Sequence, residues 1–110
     1  LEQVAQINKA IEQEFAASKK PVFLGGDFNA RPETTTLITL KEDWKVLTPH
    51  GENDFTHSSQ KPNKCIDYIM LWKGNDAKCE VIGTKIMNSF RKGDIKQASD
   101  HIPVMVDVKF

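Results

Sequence analysis

A chain of 110 residues, 39% hydrophobic and 27% charged, fits one globular domain with a modest core and leaves no room for a second. Its 15 basic and 15 acidic side chains cancel, which removes the broad positive field of a protein that holds long nucleic acid by charge alone and leaves a small or locally gripped substrate. No apolar run approaches the roughly 18 to 20 residues that cross a bilayer, and no charged-then-apolar signal segment opens the chain.

Leu1, Val4, Ile7, Ile11 and Phe15 recur at steps of three and four, with Glu2, Gln3, Asn8, Glu12 and Gln13 between them, which predicts an amphipathic helix ended by Lys19, Lys20 and Pro21. Nothing before Leu1 caps it, as expected of a piece of something longer, and a start at Leu rather than Met would also follow removal of a signal peptide, with secretion or a periplasmic location as the consequence. Val22 to Gly25 reads as a short buried strand, after which Gly25 and Gly26 permit a sharp turn beside Asp27. Glu33 to Lys41 reads as a short helix capped by Thr34 or Thr35, and Trp44 to Leu47 as a weak strand. Thr48 to Lys64 is a long polar loop of the kind that carries function.

Ile66 to Lys73 has apolar residues on both faces and reads as a central strand buried on two sides, with Asp67 on the side of Ile69 and Leu71, a costly place for an isolated carboxylate. Cys79 to Met87 is expected to pair back on it around Gly74–Ala77. That hairpin would put Cys65 roughly 20 Å from Cys79 at about 3.3 Å per residue, beyond the roughly 7 Å a disulfide tolerates, so two free thiols are expected. Residues 88–100 form a second polar loop. Ile102, Val104, Val106, Val108 and Phe110 then alternate with Pro103, Met105, Asp107 and Lys109, as in a half-buried strand with Pro103 near its start.

Asp27 with Asn29, Asp67, and Asp100 with His101 each sit inside or beside an apolar run. Adjacent strands could gather them at one rim of a sheet, where an Asp, an Asn and a His would hold a divalent cation, orient a water and supply a base. Taken singly each has a plainer reading. Asp27 and Asn29 suit a turn or a cap, Asp67 could accept backbone hydrogen bonds, and Ser99-Asp100-His101 could be a solvated loop. His50 and His57 read as solvated members of the polar loop, Trp44, Trp72 and Phe23 as core, and Lys19-Lys20 and Arg91–Lys96 as solvated faces.

Taken together and in order, GGDFNARP (25–32), CIDYIML (65–71) and SDHIPV (99–104) resemble the three C-terminal motifs of the endonuclease/exonuclease/phosphatase superfamily, the deoxyribonuclease I-like fold. The resemblance runs from Val22 to the end, and the opening helix matches the element before the first motif. It implies an α/β fold over residues 1–110, half of a four-layered sandwich, with a mixed, mostly antiparallel sheet, one long N-terminal helix and one short helix. It also implies metal-dependent phosphodiester or phosphomonoester hydrolysis, with Mg2+ or with Mn2+ in its place. Carried over residue by residue, Asp27 would orient the attacking water or bind the metal, Asn29 would contact phosphate and metal, and Asp100 would lie at the metal. Asp67 would accept a hydrogen bond from His101 and fix its tautomer, and His101 would be the base or the positive group facing the phosphate.

Substrates within that superfamily include nucleic acids, sphingomyelin, inositol phosphates and small nucleotides. Its N-terminal half carries a metal-binding glutamate, typically in a Gln-Glu pair, and a second histidine that grips phosphate, and neither has a counterpart before Val22. The resemblance therefore implies the C-terminal half of such an enzyme, inactive alone, whose sheet face associates with the other half or with a second copy.

Overall fold

The computed structural model describes residues 2–75, 77–88 and 94–110. Helix α1, Glu2–Phe15, follows the expected periodicity, but it is shallowly seated. Val4 is buried, whereas Ile7 and Phe15 are exposed at the rim. A polar clamp fixes it: Trp44 Nε1 donates to Asn8 Oδ1 at 2.7 Å, and Asn8 Nδ2 donates to Asp43 Oδ2 at 3.0 Å. Helix α2, Thr35–Asp43, starts at Thr34, whose hydroxyl accepts from the Leu37 amide. Its Leu37 and Leu40 are fully buried.

Strand β1, Phe23–Asp27, and the three-residue β2, Trp44–Val46, flank β3, Asp67–Trp72, both antiparallel to it, in the order β1-β3-β2. The expected central strand is therefore β3, but its burial on two sides is not found: Tyr68, Met70 and Trp72 are buried, whereas Asp67, Ile69 and Leu71 are only half-buried. Tyr68, Met70 and Trp72 meet Val4, Leu37, Leu40 and Trp44 in one core beneath the helices. The opposite face carries Phe23 across from Leu71, Gly25 across from Ile69, and Asp27 across from Asp67. Phe23 is 39% exposed, so β1 is not the buried strand its composition suggested, and Phe23 is not core.

The expected hairpin between residues 66–73 and 78–87 does not form. Strand β4, Glu80–Ile86, pairs instead with β5, Val104–Lys109, as a separate two-stranded sheet with a register shift between Val81 and Gly83. Both edges of β3 are already taken by β1 and β2, so β4 has no place beside it. The cysteines are still free thiols, Cys65 buried and Cys79 half-buried. Of the second polar loop, Ile95–Ala98 forms a short helix, α3. The expected solvated run Arg91–Lys96 lies partly outside the described residues, as does Asp76 of the expected turn. Pro103 precedes β5, as expected, and Ile102 is buried with Ile86.

The two sheets are joined through the polar loop. Ile102 N donates to Thr56 O at 2.7 Å, Ser59 N donates to Asp100 O at 2.8 Å, and His57 bridges in antiparallel fashion to both Lys64 and His101. Thr56 also ties this loop to the start of β3, its hydroxyl accepting from the amides of Ile66 and Asp67 at 3.0 and 3.2 Å.

Candidate active site

The junction between the sheets gathers the polar points that the sequence scatters. Asp27, the last residue of β1, faces Asp67, the first of β3, as a cross-strand pair. Two like charges placed opposite each other destabilise a sheet unless something positive stands between them. His101, from the segment before β5, is that group: its Nδ1 lies 2.9 Å from Asp67 Oδ2 and its Nε2 3.6 Å from Asp27 Oδ2. Asp67 accepts a hydrogen bond from Nδ1–H, which leaves Nε2 facing Asp27 and Asp100. The Asp67 carboxylate that looked costly on its strand thus has a partner.

His101 is raised above its ordinary pKa, first by the hydrogen bond to Asp67 and further by the charges of Asp67, Asp27 and Asp100, against a lowering by burial. Asp100 presents Oδ1 to His101 Nε2 at 3.9 Å from a side chain that is 78% exposed. Asn29 lies two residues beyond β1 at φ 49°, a left-handed position Asn tolerates better than most residues. Its amide N–H donates to Asp27 Oδ1 at 2.8 Å, closing a turn that orients the carboxylate. Asn29 is exposed, and the contact it brings to the cluster is this backbone one. The loop is pinned from below by Tyr68, whose hydroxyl meets Ala30 O at 2.6 Å and Cys65 O at 2.8 Å.

Asp27, Asp67 and His101 each offer a ligand atom within 4.8 Å of the others. Two adjacent carboxylates with an exposed amide beside them form an oxygen-rich donor set, which suits a hard cation such as Mg2+ that keeps several waters. A largely apolar cavity of about 380 Å3 runs from Asp27, Asp67 and His101 to Ile69 and Val104, between the sheets. A second, of about 470 Å3, opens beside the Asn29 loop, lined by Arg31, Glu33, His50, Phe55 and Lys64 among others.

His57 is where the sequence reading went wrong. Its side chain is only 24% exposed, its Nε2 lies 3.7 Å from Asp100 Oδ2, and its ring stands 4.7 Å from that of His101. The available signal was the turn-forming run Ser58–Asn63, which folds back so that the amides of Asn63 and Lys64 both donate to His57 O at 3.0 Å. A residue paired in that way is held, not solvated. His50, by contrast, makes a local contact of 2.8 Å from Nδ1 to Thr48 O. Thr56, fully buried, was also missed.

A family model described as the Endonuclease/Exonuclease/phosphatase family matches residues 1–101 of this chain. No curated protein and no solved structure matches it.

Proposed function

The chain belongs to the Endonuclease/Exonuclease/phosphatase family, and from that premise we propose that it serves a metal-dependent phosphoesterase in which His101, oriented by Asp67, is the base. Hydrolysis of phosphate esters, of the nuclease or phosphatase type, is the activity the family carries. The roles of individual residues and the choice of Mg2+, or of Mn2+ in its place, belong to this proposal. Its chief support is the contact of 2.9 Å from His101 Nδ1 to Asp67 Oδ2, with Nε2 turned toward Asp27 and Asp100.

In this reading Asp67 holds the Nδ1 proton so that Nε2 takes the proton from an attacking water. Asp27 and Asp100 flank that water, and Asn29 offers its amide to a phosphate oxygen. Asp27, Asn29 and Asp100 would hold the cation, which when bound neutralises the charge that gathers on the phosphate oxygens. The 380 Å3 cavity beside the cluster, largely apolar, borders Asp27, Asp67 and His101.

Hydrolysis of bis-p-nitrophenyl phosphate by the full-length protein in Mg2+, with and without EDTA, tests the reading. Turnover that needs the metal and falls in His101→Ala by on the order of 100-fold or more, the scale of losing one general base, is the expected result. Turnover unchanged in that variant would overturn the assignment.

A second reading is favoured by one observation: Phe23, Ile69 and Leu71 leave an apolar sheet face half-open. In it the chain is a catalytically incomplete half-domain that associates through this face, with the complementary half of the fold or with a second copy as partner.

A further inference from the structure

We propose that His57, Asp100 and His101 form a binding site for a borderline-soft divalent cation of the Zn2+ type, distinct in chemistry from the oxygen donors of Asp27 and Asn29. The three side chains offer ligand atoms that all lie within 4.8 Å of one another. Two imidazole nitrogens and one carboxylate suit Zn2+ and its transition-metal neighbours, whereas Mg2+ takes oxygens.

The distances argue for a shared cation over direct contacts. His57 Nε2 to Asp100 Oδ2 is 3.7 Å and His101 Nε2 to Asp100 Oδ1 is 3.9 Å, both too long for a hydrogen bond. Two ligands each about 2.1 Å from a tetrahedral ion stand about 3.4 Å apart, so each of the two gaps to Asp100 closes with a few tenths of an ångström. Asp100, with its side chain 78% exposed, has the freedom to move that far.

The imidazoles are already placed. The bridge between His57 and His101, with the amide bonds from Ile102 to Thr56 and from Ser59 to Asp100, fixes the two backbones side by side. Asp67 accepts a hydrogen bond from His101 Nδ1–H and so presents Nε2 as a ligand, the carboxylate–histidine–metal arrangement seen at zinc sites. His57 Nδ1 is buried with no hydrogen-bond partner among the described residues. A cation on His57 Nε2 would leave this Nδ1 as the ring's N–H donor, so the support for the site is the placement of the three ligand atoms.

A consequence rests on the proposed function: a Zn2+ ion here occupies the Nε2 that takes the proton from water, so Zn2+ opposes the hydrolysis that Mg2+ supports. The binding itself is tested without substrate, by calorimetric titration of Zn2+ and by the visible absorption of Co2+, on the full-length protein in excess Mg2+. The wild type should bind, and His57→Gln and Asp100→Asn should each weaken Zn2+ by at least about tenfold, the lower end of what changes near a metal cost. Circular dichroism checks that each variant is folded. No Zn2+ binding by the wild type in excess Mg2+ would overturn the site. So would affinity that falls in Asp27→Asn but not in His57→Gln, which would seat the ion with Asp27 and Asp67. Zn2+ that binds as expected yet leaves hydrolysis untouched would uphold the site and overturn the role of His101 as base.

Discussion

Asp67 gives His101 both its tautomer and its proton affinity, and the second effect has a sign that can be measured. The hydrogen bond raises His101 above its ordinary value, so in the folded state the ring holds its proton to higher pH than in the unfolded chain. The stabilisation from this pair is therefore complete below the unfolded value of about 6.5 and is lost as pH rises through the raised folded value. Asp67→Asn should remove the larger part of that pH dependence from urea unfolding, leaving what Asp27 and Asp100 contribute. It should also move the rising limb of the pH–rate profile to lower pH, because a base freed of its carboxylate is neutral earlier, and NMR titration of the ring reads the same shift directly. A limb that stays in place would mean that another group titrates there. At the same scale, burial pushes the Cys65 thiol up to about 11, which leaves little reactive thiolate at neutral pH.

Among the elements, β3 organises most of the rest because its residues alternate in what they do. Tyr68, Met70 and Trp72 fill the core, while Asp67, Ile69 and Leu71 turn the other way. Tyr68 is the member that reaches furthest, since its hydroxyl meets the carbonyls of Ala30 and Cys65 at the two loops flanking the site. Desolvation by burial, with the Cys65 side chain adding to it, raises its pKa well above the ordinary tyrosine value, so it remains a neutral phenol and a donor. Tyr68→Phe keeps the ring and its edge contact with Phe28 but strips both carbonyls of a partner. A loss of about 1 to 3 kcal/mol in urea unfolding is expected. A loss well under that range would mean that water replaces the hydroxyl and the Asn29 loop is held by other means.

For the whole molecule, the decisive feature is that the site belongs to neither sheet alone. Asp27 and Asp67 come from β1 and β3, while Asp100 and His101 precede β5 in the other sheet, and the polar loop carrying Thr56, His57 and Ser59 holds the two together. A two-stranded sheet is marginal alone, so the β4–β5 pair depends on this docking and on the small cluster of Ile86, Ile102 and Val104. The face that ends in Asp27 and Asp67 begins with Phe23 across from Leu71. On the half-domain reading the chain associates in sedimentation velocity, and replacing Phe23 and Leu71 together by Thr should abolish that association while leaving far-UV circular dichroism unchanged, since neither residue is buried. A wild type that stays monomeric would overturn that reading. Association that survives would place the contact elsewhere, with exposed Ile82 and Met105 on the β4–β5 sheet as the next surface to alter.

The resemblance of the three motifs to a known family implied the pairing of Asp67 with His101, whereas the sequence by itself determined α1, the capped α2 and the three motifs in their order. These rest on local periodicity, capping chemistry and residue type, which act over a few positions. Only the tertiary structure decided that β4 pairs with β5 and not with β3, that Phe23 and Leu71 face outward, and that His57 stands against His101. Each of those depends on which strand edges are already occupied and on how a loop is stitched across two sheets. Such pairings are set by contacts between residues far apart in the chain, and the sequence pattern of either partner is the same whether or not they meet.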